Sequence, residues 1–197
     1  MSTTTLFRLA GFTALIVSAV SVVFNIGVPV GLIPAEMDGY RSLTTLLINL
    51  FVVTGLYAAQ SHKAGVTGLA GYLLSVMGLA GNVGLRFVYI LVAPILMARY
   101  PDAAAAAGAG PLTMATSLTF IAYALGFILF GVATFRAGVY PRWAGAVIGV
   151  GALLSYGLVM LPFNIGGLLI NLGLIWLGWS LVAGKPTAVL SAQPQMA

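Results

Sequence analysis

The chain contains no cysteine, one histidine and only three acidic residues in 197. Without cysteine there is no disulfide, no thiol chemistry and no thiolate-held metal. A single histidine, His62, excludes a bis-histidine haem or a multi-histidine metal site within one chain. Its expected place in a loop argues against pairing with a buried serine as in a membrane protease. The acids Glu36, Asp38 and Asp102 all fall between apolar segments, which argues against a carboxylate proton relay. No lysine falls inside an apolar segment, so a Schiff base to a buried chromophore is excluded. No cofactor, metal or catalytic residue is therefore expected, and enzymatic activity by this chain alone is not.

What fills the sequence instead is hydrocarbon. Hydrophobic residues make up 61% and charged residues 6%, against about a quarter charged in soluble domains. Apolar stretches repeatedly exceed the roughly 20 residues that cross a bilayer as helix. Nothing alternates as the strands of an outer-membrane barrel would. The expected class is all-α: a polytopic membrane protein with a bundle of six transmembrane helices. The net charge of +5 comes from eight Lys and Arg scattered at segment ends, so it points to topology and not to nucleic acid. Arg8 precedes an apolar run from Leu9 to about Ile33, too long for a cleaved signal core, and a retained helix is expected.

The spans are expected at about 6–33, 42–59, 65–88, 112–135, 143–161 and 165–183, with a disordered cytoplasmic tail over 184–197. Residues 35–41 and 60–64 read as polar loops, and Pro94 should bend or stop the third segment. Six crossings put Arg8, Lys63, Arg136, Arg142 and Lys185 on one side, and Arg41 and Arg99 with all three acids on the other. The positive-inside rule then places both termini in the cytoplasm of a cell with this chain in its inner (plasma) membrane. Tyr57, Trp143, Trp176 and Trp179 fall near inner ends, Tyr40 and Tyr100 near outer ends, as interfacial belts require. Leu-Leu-Ile-Asn-Leu recurs at 46–50 and 168–172, Phe-Asn-Ile-Gly at 24–27 and 163–166, and Gly-x5-Gly-x-Leu-Leu-Ser at 65–75 and 145–155. These matches suggest parallel repeats of the hairpins two–three and four–five.

The polar residues are organised around Gly81-Asn82-Val83-Gly84-Leu85-Arg86. Arg86 is the one charge well inside an expected span, and Asn82, four residues earlier, shares its helical face. At about 1.5 Å per residue, several other groups fall in the same outer half of the bundle. They are Asn25 with Ser18 and Ser21 beneath it, Thr45 and Asn49, Thr116, Thr119 and Tyr123, and Asn164 and Asn171, with Ser155 and Tyr156 mid-to-outer. Polar groups in hydrocarbon should point inward, so a polar pocket open to the outside is expected. Its ligand-binding residues would be Arg86, Asn82, Asn25, Asn49, Asn171 and Tyr123. The competing reading is structural. Intramembrane Asn and Thr bond neighbouring helices at about 1 kcal/mol or less each, and Arg86 can snorkel to the headgroups. Its available carboxylate partners are Glu36, Asp38 and Asp102. Gly27-x3-Gly31 and Gly145-x3-Gly149 read as faces for close helix packing.

The stretch from Gly131 to Gly145, with Arg136-Ala137-Gly138-Val139-Tyr140-Pro141-Arg142 at its centre, resembles the junction between two spans in a group of uncharacterised bacterial six-helix membrane proteins, catalogued as domain of unknown function number 4386. Arg8-Leu9-Ala10-Gly11 also resembles the start of that group's first span. The resemblance implies the six-span fold and no assigned activity. Three functions stay open. The first is a non-enzymatic binder of a small polar or lipidic ligand, or an accessory subunit, with the bilayer and a homo-oligomer or larger membrane complex as partners. The second is a small-solute transporter working as an oligomer. The third is a lipid-directed enzyme in which Arg86 would hold a phosphate.

Overall fold

A computed structural model describes residues 3–102, 105–106, 110–157 and 164–183. The end of the fifth apolar segment over 158–161, Pro162-Phe163, part of the alanine-rich loop and the tail from Gly184 lie outside these residues. The described residues are helical and contain no strand. In chain order they form α1 (Thr3–Gly27), α2 (Ala35–Phe87), a π-turn (Val88–Val92) and α3 (Ala93–Arg99). Then follow α4 (Pro111–Ala137), α5 (Arg142–Gly157) and α6 (Ile165–Val182). Four stretches are long and apolar enough to cross a membrane: Thr5–Gly27, Ala35–Arg99, Leu112–Ala137 and Ile165–Val182.

The longest stretch is not one rod. A straight helix of the 53 residues of α2 would be about 80 Å long. Instead Gly65, at φ 59 and ψ −163, breaks it. That left-handed φ favours a residue without Cβ. The halves 35–64 and 66–87 fold back on each other. The rings of Tyr57 and Tyr72 stack with centroids 4.5 Å apart, and Thr54 Oγ1 lies 3.3 Å from the Tyr72 hydroxyl. Further along, Gly39 packs against Ile90. The expected loop at 60–64 is thus the last helical turn of the first arm. Gln60 is fully buried there and donates from Nε2 to Thr134 Oγ1 at 3.0 Å. The run Gln60-Ser61-His62-Lys63 reads as a loop because it is polar, yet polarity at a hairpin end does not oppose helix.

The expected polar loop at 35–41 is also helix. Pro34 caps α2 with its φ of −59, and Glu36 and Asp38 occupy the first turn, where carboxylates oppose the positive end of the helix dipole. The expected end of the first span at Ile33 falls in a turn, because α1 stops at Gly27. Pro29 has no N–H to continue the ladder. The amides of Leu32 and Ile33 both return to Gly27 O, at 2.9 and 3.2 Å, with Gly31 at φ 76. Gly27 and Gly31 therefore shape this turn and not a helix-packing face: a Cβ on Gly27 would meet Ile33, and one on Gly31 would meet nothing. Pro94 does not stop its helix. The ladder widens across Val88–Val92 so that the Ala93 amide reaches Val88 O, five residues back. This relieves the clash a proline ring makes with the carbonyl four residues before it.

The rods close into a ring. α1 packs on α2 and α6, α2 on α4, α4 on α5, and α5 on α6. Glycines set the spacing. A Cβ on Gly11 would lie 2.8 Å from Gly178 O, and one on Gly178 the same distance from Gly11 O. A Cβ on Gly145 would lie 2.5 Å from Gly131 O, and Gly149 backs the same seam, as expected for that pair. Gly78 meets the backbone of Tyr123. One end of the ring is shut by Val52, Val53, Leu56, Leu79, Phe127, Phe130, Ile148, Leu174 and Leu177, all essentially without solvent exposure. Tyr140, from the turn begun by Gly138 at φ 61, inserts there and donates its hydroxyl to Leu56 O at 3.2 Å. Burial raises its pKa well above the ordinary value, so it remains a neutral donor. Outward faces are apolar: Phe12, Ile16, Val23, Met77, Leu118, Leu153 and Trp179 are each more than half exposed.

Candidate functional site

At the other end the ring holds a cavity of about 340 Å³, within the size range of small-ligand pockets. Every helix that crosses this level contributes. Ser21 and Asn25 come from α1, and Arg41, Ser42, Thr45, Leu46 and Asn49 from the first arm of α2. The second arm supplies Asn82 and Arg86, α4 supplies Phe120 and Tyr123, and α5 supplies Ser155. Asn164 caps α6, whose Gly167, Ile170 and Asn171 complete the wall. All of the residues expected to bind ligand (Arg86, Asn82, Asn25, Asn49, Asn171 and Tyr123) line this one cavity.

The hydrogen bonds show what each group has left to offer. Asn82 donates Nδ2 to Gly78 O at 2.9 Å, and Asn171 donates Nδ2 to Gly167 O at 2.7 Å. Each bond stays within its own helix, so neither asparagine serves as interhelical glue among the described residues. Only nitrogen can face a carbonyl in this way, so each Oδ1 is turned elsewhere. Asn164 is occupied differently: its Oδ1 accepts from the Gly167 amide at 2.8 Å and caps α6. Asn49 is buried and makes no hydrogen bond among the described residues, with its Oδ1 wholly shielded. Ser18, below Ser21 on α1, is likewise buried with an unpartnered Oγ. Tyr123 packs its ring 4.7 Å from that of Phe127, which is core. Tyr123 therefore stands where the cavity meets the sealed end.

The two arginines differ. Arg41 is spent. Its Nε and Nη2 donate to Asp38 Oδ1 at 3.0 and 2.5 Å, and Nη1 donates to Ser21 Oγ at 3.3 Å. Its guanidinium lies 5.4 Å from the centre of the Phe24 ring, within cation–π reach. These bonds pin the start of α2 onto α1. Arg86 is exposed and has no hydrogen bond or ion pair among the described residues. Asp38, one of its expected partners, belongs to Arg41. The wall thus presents one uncompensated cation.

Other expected contributors fall elsewhere. Thr116 returns its hydroxyl to Leu112 O at 2.7 Å, and Thr119 fills the space beside Gly81. Ser155 reaches the wall but bonds Gly151 O at 2.9 Å. The Tyr156 side chain lies outside the described residues. Arg41, Ser42, Leu46, Phe120, Gly167 and Ile170 line the cavity and are not among the groups expected from sequence. Pro34 followed by two acids is a helix-start signature, and it would have placed Arg41 in the second turn of a helix. Among the described residues no group of three or more His, Cys, Asp or Glu could hold a metal ion. No protein-family model, curated protein or solved structure matches this chain.

Proposed function

We propose that this chain is a six-span protein of the inner (plasma) membrane, with both termini in the cytoplasm, that binds a small anionic or polar ligand or a lipid headgroup in an outward-facing pocket. It acts as a binding or accessory component and not as an enzyme. The observation that carries this reading is the cavity itself: asparagines from four helical rods and one unpaired arginine converge on a single space. The fold-back at Gly65 supports six crossings, because the 65-residue apolar stretch then supplies two. Arg86 lies about 30 Å along the second arm from Gly65, comparable to the roughly 30 Å hydrocarbon core. That distance supports a pocket mouth at the outer interface. The excess of basic residues at the sealed end supports its cytoplasmic placement. The resemblance of the Arg136–Arg142 junction to the uncharacterised six-helix group supports the same topology.

The apolar plug between Leu56, Leu79, Phe130 and Leu174 supports binding over passage. The decisive experiment uses the full chain in nanodiscs and measures binding of small anions by calorimetry. Binding is expected in the unaltered protein and should weaken by about tenfold or more in Arg86→Ala, the loss of a charge-assisted hydrogen bond of about 1.5–3 kcal/mol. Binding that is indifferent to Arg86→Ala would sink the reading. Arg86-dependent solute flux in proteoliposomes would replace it with transport.

A further inference from the structure

We infer that the cavity selects a hydroxylated monoanion: one anionic group held by Arg86, with adjoining hydroxyls donating to the side-chain oxygens of Asn82 and Asn171. This rests on the reading that the cavity binds a ligand, and it follows from counting what the wall has unspent. The charged residues of the wall are Arg41 and Arg86. Arg41 is neutralised by Asp38, which leaves a net charge of one. No carboxylate lines the cavity, so a ligand ammonium would find no counter-ion. A zwitterion would leave Arg86 uncompensated overall, and a dianion would meet only one free cation.

The neutral groups then define the rest of the ligand. Asn82 and Asn171 have each spent one Nδ2 hydrogen on a glycine carbonyl of their own helix, so each keeps its Oδ1 acceptor and one N–H donor. A ligand hydroxyl both donates and accepts, which suits a neutral amide with one group of each kind left. Asn49, buried and without a hydrogen-bond partner, adds a free amide. Sites with unspent polar groups discriminate strongly against ligands that leave them unmet. An aliphatic acid would satisfy Arg86 and strand the amides. A sugar would do the reverse. Two sources carry the shared chemistry: a soluble sugar acid, and the glycerol-phosphate headgroup of an anionic lipid.

The test compares four soluble probes on the unaltered full-length protein in phosphatidylcholine nanodiscs, by calorimetry. The probes are gluconate (hydroxylated monoanion), hexanoate (bare monoanion), glucose (hydroxyls without charge) and serine (zwitterion). Gluconate is expected to bind about tenfold or more tighter than any of the others. Asn82→Ala and Asn171→Ala should each bring gluconate toward hexanoate while leaving hexanoate unchanged. Arg86→Ala should reduce gluconate to the level of glucose. Because the ranking is read on the unaltered protein, it holds whether or not the variants fold. Repeating it in discs containing phosphatidylglycerol separates the sources: displacement of gluconate identifies the lipid headgroup, and undiminished binding identifies a soluble acid. Hexanoate or serine binding as tightly as gluconate overturns the inference and leaves the pocket reading standing. If no probe binds and phosphatidylglycerol is not retained on purification, both fail.

Discussion

The two ends of the ring are made by the same helical rods and differ in what those rods turn inward. At the sealed end the inward positions carry Leu56, Phe127, Phe130, Leu174 and Leu177, all with essentially no exposure. Polar groups there bond between elements, as Gln60 Nε2 on Thr134 and Tyr140 on Leu56 O, although Gln60 Oε1 is buried without a partner. At the cavity end the inward positions carry asparagines and Arg86, and their bonds stay within one helix or are not made at all. In the dry end a bond across the seam closes it, since an unmet buried polar group costs about 1–3 kcal/mol. At the cavity end Arg41 and Ser21 still bond across α1 and α2, whereas Asn82 and Asn171 bond only within their own helices. Gln60 and Asn82 are both carboxamides within apolar sequence, yet Gln60 bonds across a seam to Thr134 and Asn82 bonds within its own helix.

Substitutions can break this comparison, beginning with the glycines. Gly126 lies against the backbone of the second arm, where a Cβ would sit 2.7 Å from the Leu74 carbonyl carbon and the Ser75 Cα. Gly126→Leu should force α2 and α4 apart, at about 3 kcal/mol or more, and yield no monodisperse protein by size-exclusion chromatography. Gly84, toward the cavity end of the same arm, meets nothing within 4 Å, and Gly84→Leu should elute as the unaltered protein does. Next, Phe130→Ala empties part of the plug and should cost about 3–5 kcal/mol, read as a lower melting temperature in detergent. If it melts like the unaltered protein, the closed end is not packed as described.

The smallest expected effect on stability sharpens the comparison most. The Asp38–Arg41 pair is partly exposed, at 34% and 18% of the side chains, so Asp38→Asn should cost at most about 1 kcal/mol. It also releases Arg41 into the cavity. Anion binding should then tighten and shift toward dianions, read as the ratio of phosphate monoester to carboxylate affinity. An unchanged ratio would mean that Arg41 does not face the ligand.

Much of the site was legible because a polar side chain in hydrocarbon has few places to go. Counting residues from the segment ends put Asn25, Asn49, Asn82, Tyr123 and Asn171 at one level, and inward orientation followed from cost alone. What escaped was where hydropathy loses its period. In Glu36-Met37-Asp38-Gly39-Tyr40-Arg41 the apolar pattern breaks, and the helix continues on capping and dipole terms that a hydropathy reading ignores. On hydropathy alone Arg41 therefore reads as a loop residue that sets topology. Gln60 escaped for the same reason at the other hairpin end. Gly27 and Gly31 have the spacing of a packing face, but Pro29 between them makes that face a turn.

Composition and segment length alone dictate the helical class, the apolar lengths, and the level at which each polar group must lie. These depend on composition and on a fixed rise per residue, both properties of one dimension. Which groups are spent depends on how the helices pack in three dimensions. Asp38 goes to Arg41 and not to Arg86. Gln60 goes to Thr134, and Asn82 and Asn171 go to their own backbones. Those choices depend on helix rotation and on how closely the rods approach. Here the approach is set by glycines such as Gly11, Gly78 and Gly145 against their neighbours' backbones. A difference of a few ångströms across a seam separates a bond that closes the bundle from a group left facing a cavity.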